Sequence, residues 1–177
     1  MDAILIFDWV IKMQPINCFD LQIFNDIIEL SSMSAWLHKI CENLTVPEVV
    51  AKDLDLCANE AVANIILYAY EDHKQHQIKL RLKLKKDQEL SLTIQDDGNP
   101  FDPFKAAISE SYDKIGDFQI GGMGIQLMRS LANEYKYCRL NDKNIVTLCF
   151  HLCQTASTSV QSKNSPLLNF CMEACYD

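Results

Sequence analysis

Between residues 70 and 78 the hydrophobic period of this chain switches from helical to two. From Leu54 to Tyr70 the apolar residues recur at helical spacing, and Leu54, Ala58, Ala61, Ile65 and Ala69 form one stripe. From Ile78 onward the period is two. Ile78, Leu80, Leu82 and Leu84 alternate with Lys79, Arg81, Lys83 and Lys85, as in a strand buried on one face only. A short turn, Lys86-Asp87-Gln88, leads to Leu90, Leu92 and Ile94, which alternate again. That pattern predicts an antiparallel hairpin. A sheet with one apolar face needs a covering layer, and the small residues of the helical stripe permit close packing on it.

The remaining segments extend this scheme. Residues 3–11 are apolar and β-rich, suited to a leading strand or a short amphipathic arm, and 17–24 reads as a strand. A helix is predicted over 31–44, with Met33, Leu37, Ile40 and Leu44 on one face and Ser31 or Ser32 as its cap. Pro47 opens the helix of residues 48–70 in its first turn. Residues 98–121 form a long irregular stretch, and in a compact domain such a loop is usually functional. A helix follows from 122 or 123 to about 133, with Ile125, Leu127, Met128 and Leu131 apolar. Two strands, about 134–140 and 144–152, flank the turn Asn141-Asp142-Lys143. The predicted fold is α+β: a two-layer sandwich with helices on one face of a mixed, mostly antiparallel sheet. The expected organisation is an N-terminal extension (1–16), one domain (17–152), and a Ser/Thr-rich linker with a Cys-bearing tail (153–177).

At 177 residues the chain can bury a core without disulfide staples. Its net charge of −8 argues against a general nucleic-acid or anionic-membrane binder. The opening residues lack the basic region of a signal peptide, and no apolar run reaches transmembrane length. Eight cysteines without a CxxC pair read as free core and tail thiols in a reducing cytoplasm.

Three polar insertions in this apolar framework carry the chemistry. Glu60 and Asn64 lie four apart on the long helix, so they share a face. Burying either without a partner costs on the order of 1–3 kcal/mol, so the pair has local partners or meets a ligand. Asp96 ends a strand, where its carboxylate can accept from an exocyclic amine such as adenine N6. Gly98 lets backbone approach a planar ring. Gly122 and Gly124 precede a helix start, where free N–H groups favour phosphate. Asn64 offers a neutral oxygen suited to Mg2+, and Glu60 a base for an attacking hydroxyl or water. Taken singly, each has an ordinary reading: a surface-facing pair, a turn, a glycine-rich helix start.

In order, Glu60-x-x-x-Asn64, Asp96-x-Gly98 and Gly122-x-Gly124 resemble the boxes of the GHKL ATPases, a superfamily that includes gyrase, MutL, histidine kinases and heat-shock chaperones. The anti-sigma-factor branch, the RsbW-like serine-protein kinases, is closer. Glu60-Ala-Val-Ala-Asn64-Ile-Ile-Leu-Tyr68-Ala-Tyr70 looks like its first box, Asp96-Asp97-Gly98-Asn99-Pro100-Phe101-Asp102-Pro103 its second, and Gly121-Gly122-Met123-Gly124-Ile125-Gln126-Leu127-Met128 its third. The resemblance spans residues 17–152.

The resemblance implies a Bergerat-type sandwich with ATP and Mg2+ between the helices and a 98–121 lid. Glu60 would be the catalytic base, Asn64 the Mg2+ ligand and Asp96 the adenine ligand. Gly98, Gly122, Gly124 and Ile125 would complete the nucleotide contacts. It also implies a protein-serine kinase that phosphorylates an anti-anti-sigma (STAS-domain) partner, sequesters a sigma factor, and in many members forms a homodimer. Direct nucleic-acid or membrane binding is not expected. The alternative is a nucleotide-gated protein-binding module with little or no kinase activity. A histidine-kinase-type ATPase domain fits less well, for the lid is short and no dimerisation helix with a phosphoacceptor histidine precedes it. The chain departs from the pattern at Tyr68, a position often held by histidine. Pro100 stands where the wider superfamily often has glycine, and the lid segment holds Lys105 and Lys114 but no arginine.

Overall fold

A computed structural model describes residues 17–85, 88–105 and 122–152. The leading segment 1–16, residues 106–121 of the long loop with Lys114 and Gly121, and the linker and tail from 153 lie outside the described residues.

Strand β1 (Asn17–Phe24) is followed by helices α1 (Glu29–Asn43) and α2 (Glu48–Tyr68). The hairpin β2 (Gln77–Lys85) and β3 (Glu89–Asp96) comes next, then helix α3 (Gly122–Leu131) and the hairpin β4 (Glu134–Leu140) and β5 (Lys143–His151). The strands form one sheet in the order β1-β2-β3-β5-β4. Each pairing among the described residues is antiparallel.

Register explains the layers. Leu21, Leu80, Ile94, Val146 and Tyr137 form one row across the five strands, and Phe19, Leu82, Leu92, Leu148 and Tyr135 the next. Side chains alternate faces along a strand, so these rows share the face the helices cover. Met33, Leu37 and Ile40 of α1, Leu54, Ala58 and Ala61 of α2, and Met128 of α3 are buried against that face. A fully buried Leu contributes roughly 1.5–3 kcal/mol. The opposite face carries the charged partners of the alternation: Arg81 Nε donates to Asp20 at 2.7 Å, and Lys85 Nζ to Glu89 at 2.7 Å.

The ends of the elements correct the sequence reading. Helix α1 starts at Glu29, and neither Ser31 nor Ser32 caps it. The Asp26 carboxylate accepts from the Ile28 N–H at 3.1 Å instead. Ser31 therefore falls inside the first turn, where its hydroxyl donates to the Ile28 carbonyl at 2.8 Å. At the other end Val46 N–H reaches the Cys41 carbonyl at 2.9 Å and Thr45 N–H the Glu42 carbonyl at 3.1 Å. That is a Schellman stop, with Thr45 in the left-handed region at φ 55. Pro47 is the N-cap of α2 rather than part of its first turn.

Helix α2 ends at Tyr68, two residues before the expected end, because the Ala69 carbonyl accepts from Asn99 N–H at 2.8 Å. Helix α3 ends at Leu131, and Asn133 N–H joins the Cys149 carbonyl at 2.9 Å. Between β4 and β5 the two-residue loop Asn141-Asp142 has φ 49 and 59, the type I′ geometry that suits the strands' twist. No described helix is long and apolar enough to cross a membrane.

Candidate functional site

The apolar rows of the helix-covered face end in a polar one. Two residues beyond Ile94 and Val146, Asp96 pairs with Asn144, which pairs with Arg139. The side chains on this row converge. Asn144 Nδ2 donates to Asp96 Oδ1 at 2.8 Å, and the Gly98 N–H donates to the same oxygen at 2.8 Å. Arg139 donates to Asn144 Oδ1 at 2.8 Å and to the Gly98 carbonyl at 3.1 Å, and Tyr137 OH donates to Asn144 Oδ1 at 2.9 Å. Asp96 is 3% exposed and Asn144 4%.

Asp96 Oδ1 thus holds an Asx turn over Asp96-Asp97-Gly98. The turn uses one oxygen of this carboxylate. Among the described residues nothing donates to Oδ2. Burial pushes the Asp96 carboxyl up from its usual range; the bonds from Asn144 and Gly98 pull the other way, and the net direction is upward.

Gly98 lies against the end of α2. A Cβ on it would be 2.6 Å from the Ala69 Cβ and 2.7 Å from the Ala69 carbonyl oxygen. Beyond the turn, Asn99 Nδ2 donates to Glu71 at 3.1 Å. Asp102 Oδ1 caps the next turn at Phe104 N–H, 2.9 Å, and the Phe104 ring packs tilted on Tyr135 at 4.5 Å.

Glu60 and Asn64 occupy the middle of α2, both partly exposed. Neither side chain has a hydrogen bond or ion pair among the described residues. Helix α3 brings Gly124 against the Glu60 carboxylate, so closely that a Cβ there would contact Glu60 Oε2 and lie 3.0 Å from Cδ. Gly122 begins α3, and Ile125 packs at the edge of the core. Two contacts are therefore made: Glu60 with Gly124, and Asp96 with Gly98 beside Ala69. Asn64 lies between them along α2. Ala69 is nine residues beyond Glu60, about 14 Å along the helix axis at 1.5 Å per residue.

Sequence reading did not single out Asn144, Arg139 and Tyr137. Tyr137 and Arg139 alternate with Cys138 and Leu140, like ordinary strand residues. Only the register across β3, β5 and β4 brings them to Asp96. A cavity of about 540 Å3 opens at this corner, lined by His76, Lys79, Gln95, Asp96, Asp97 and Lys143 among others. Lys79 and Gln95 pair on the face away from the helices, and Glu60, Asn64, Gly98 and Gly124 do not line it.

The tail of α2 is tied to the same corner. Tyr70 stacks on His76 at 4.0 Å, and His76 bonds to Asp72 at 2.8 Å and Asp97 at 3.1 Å. Burial and the charges of Asp96 and Asp97 push the Tyr70 phenol up.

Residues 25–150 match the model of the histidine kinase-like ATPase domain. The serine/threonine-protein kinase BtrW of Bordetella bronchiseptica is 36% identical over 98 residues, which cover 55% of this chain and 68% of that protein. An anti-sigma F factor of Shouchella clausii is 28% identical over 109 residues, covering 62% of this chain and 69% of that protein. Among solved structures, the RsbU and RsbW domains of a Mycobacterium tuberculosis protein superpose with a TM-score of 0.58 at 15% identity. That match covers 83% of this chain and 35% of the solved one, so the chain spans about a third of its length. It supports the fold.

Proposed function

The chain belongs to the histidine kinase-like ATPase family, in its RsbW-like branch, and on that premise we propose that it is an ATP- and Mg2+-dependent protein-serine kinase and anti-sigma-type switch. The proposed substrate is a serine on an anti-anti-sigma (STAS-domain) partner, with a sigma factor as the second partner. The observation that carries the reading is the spacing along α2. Glu60, with its unpartnered carboxylate, and Ala69, against which the Asp96-Asp97-Gly98 turn packs, are about 14 Å apart along the helix axis, comparable to a nucleoside triphosphate, with the free Asn64 amide between them.

The residues present fit the nucleotide and the ion. Asp96 Oδ2 accepts the exocyclic amine of the base. Gly98 and Gly124 let the turn and α3 close on α2, where a Cβ would meet Ala69 and the Glu60 carboxylate. Gly122, Gly124 and the Ile125 backbone stand in the first turn of α3, where N–H groups without helical partners favour phosphate oxygens. Asn64 would hold Mg2+ through its amide oxygen, and the bound ion would neutralise charge developing on the phosphates. Glu60 accepts the proton of the attacking serine hydroxyl, so that the serine oxygen bonds to the γ-phosphorus as the bond to the β–γ bridging oxygen breaks. ADP and a phosphoserine are the products.

The test is transfer of labelled γ-phosphate to a cognate STAS protein, with Glu60→Ala and Asn64→Ala as controls. Transfer should fall at least about 100-fold in Glu60→Ala while ATP binding persists. ATP binding without transfer to any STAS partner of the same genome would favour the binding-module alternative. Its motivation would then be the anti-sigma factors among the relatives.

A further inference from the structure

The polar row on β3, β5 and β4 has one member whose orientation is fully determined. Asn144 is buried, and its Oδ1 accepts from Arg139, whose guanidinium can only donate, at 2.8 Å and from Tyr137 OH at 2.9 Å. The amide cannot be flipped without facing its NH2 to the guanidinium. Its Nδ2 is therefore directed at Asp96 Oδ1 (2.8 Å) and at the carbonyls of Asn99 (3.0 Å) and Gly98 (3.3 Å).

This has a consequence for Asp96. A carboxylate's terminal torsion is broad and two-fold, so a free aspartate presents either oxygen. Here two N–H groups, from Asn144 and Gly98, fall on one oxygen and none on the other.

We infer that Asn144 is the positioning residue of base recognition: it holds Asp96 with one oxygen occupied and the other turned to the ligand, and thereby sets a preference for a base carrying an exocyclic amine. The inference rests on the nucleotide reading above. A base with a carbonyl at that place would set acceptor against acceptor, and no rotation of Asp96 could relieve it. Because Asn144 also ties down the Gly98 and Asn99 carbonyls, the acceptor and the turn that flanks the base move as one unit.

The isosteric change Asn144→Asp separates positioning from packing. It preserves shape and the oxygen facing Arg139 and Tyr137, but it turns the donor into a second carboxylate against Asp96. Asp97 next in the chain, Tyr70 from the end of α2, and Tyr137 and Arg139 from β4 are the other titratable groups facing this pair. At low pH one proton can bridge the two carboxylates and restore a donor to Oδ1; at high pH it cannot.

The experiment is equilibrium binding of ATP and of GTP, each with Mg2+, to the full chain at pH 6 and pH 8. Wild type should prefer ATP. Asn144→Asp should lose at least about tenfold in ATP affinity at pH 8, change little toward GTP, and regain ATP affinity at pH 6. Asn144→Ala should lose the preference without recovering it at pH 6. A wild-type ATP to GTP ratio in both variants would overturn the inference and leave the nucleotide site standing. No binding of ATP to wild type would instead overturn the nucleotide reading, and the inference with it. If Asn144→Asp does not fold, Arg139→Met removes the donor that orients the amide; it should erode the same preference, and an unchanged ratio in it would count equally against the inference.

Discussion

Gly124 in the first turn of α3 lies directly on the Glu60 carboxylate of α2. A Cβ at residue 124 would be 3.0 Å from Glu60 Cδ and 3.4 Å from its Cβ. The two helices therefore meet here because residue 124 has no side chain. The atoms in the way belong to the far end of a flexible side chain, so Gly124→Ala can be accommodated by moving the carboxylate.

That separates stability from activity in Gly124→Ala. Crowding costs about 1–3 kcal/mol, and the gain in helix propensity of about 1 kcal/mol offsets part of it. The melting temperature should shift by only a few degrees. Phosphate transfer should fall about 100-fold, because the proposed base no longer points at its substrate. A variant as active as wild type would remove Glu60 from the reaction.

Gly98→Ala should behave in the opposite way. Its neighbours are the Ala69 Cβ and the Ala69 carbonyl oxygen, at 2.6 and 2.7 Å. That same carbonyl accepts from Asn99 N–H at the end of α2. Backbone cannot step aside as a side chain can, so the turn or the helix end must move. Loss of roughly 1–3 kcal/mol is expected, read as a lower melting temperature without ligand. An unchanged melt would mean that the close approach of turn and helix is not maintained in solution.

The contrast between these glycines shows what was legible in the sequence. The change from helical to alternating period carries the layer order, because each strand's apolar face is written locally. The pairs Glu60/Asn64 and Gly122/Gly124 are likewise each written within one element. Asn144 and Arg139 were not legible: they reach Asp96 only through the pairing of three strands, and cross-strand register is a long-range property. The helix ends were misread for a related reason. Ser31 has the right chemistry for a cap, but Asp26, upstream, reaches the Ile28 N–H, and α2 is stopped by Asn99, 30 residues beyond its cap Ala69.

Thr45 tests the helix stops directly. It holds φ 55 in the Schellman turn after α1. A β-branched residue in this region is strained by roughly 1–2 kcal/mol, whereas glycine is not. Glycine loses more backbone freedom on folding, about 0.5–1 kcal/mol. Thr45→Gly should therefore stabilise the chain by about 0.5–1 kcal/mol, measured by denaturant midpoint at unchanged slope. A loss of stability would mean that the threonine side chain makes a contact that outweighs the strain.

His76 makes ligand-free stability depend on pH. Its bonds to Asp72 and Asp97 raise its pKa above the usual histidine range, and the bond from His76 holds the Asp72 carboxyl down at about 2. For the histidine, the raised value means the folded state holds the proton more tightly than the unfolded chain. Its contribution is full below the unfolded pKa of about 6.5 and is lost as pH rises through the folded value. For Asp72 the depressed value means a contribution present above the unfolded pKa of about 4 and lost as pH falls toward 2. The pair supports the fold best between these limits, from about pH 4 to pH 6.5. Asp97 adjoins Asp96 and the Gly98 turn, so the same proton steadies the corner proposed to hold the base. His76→Gln keeps a polar side chain but cannot titrate. Wild type should lose more melting temperature than His76→Gln between pH 6 and pH 8.5, and the two curves should run parallel only above the folded histidine value. Curves parallel through the whole range would mean that folding does not raise the His76 pKa.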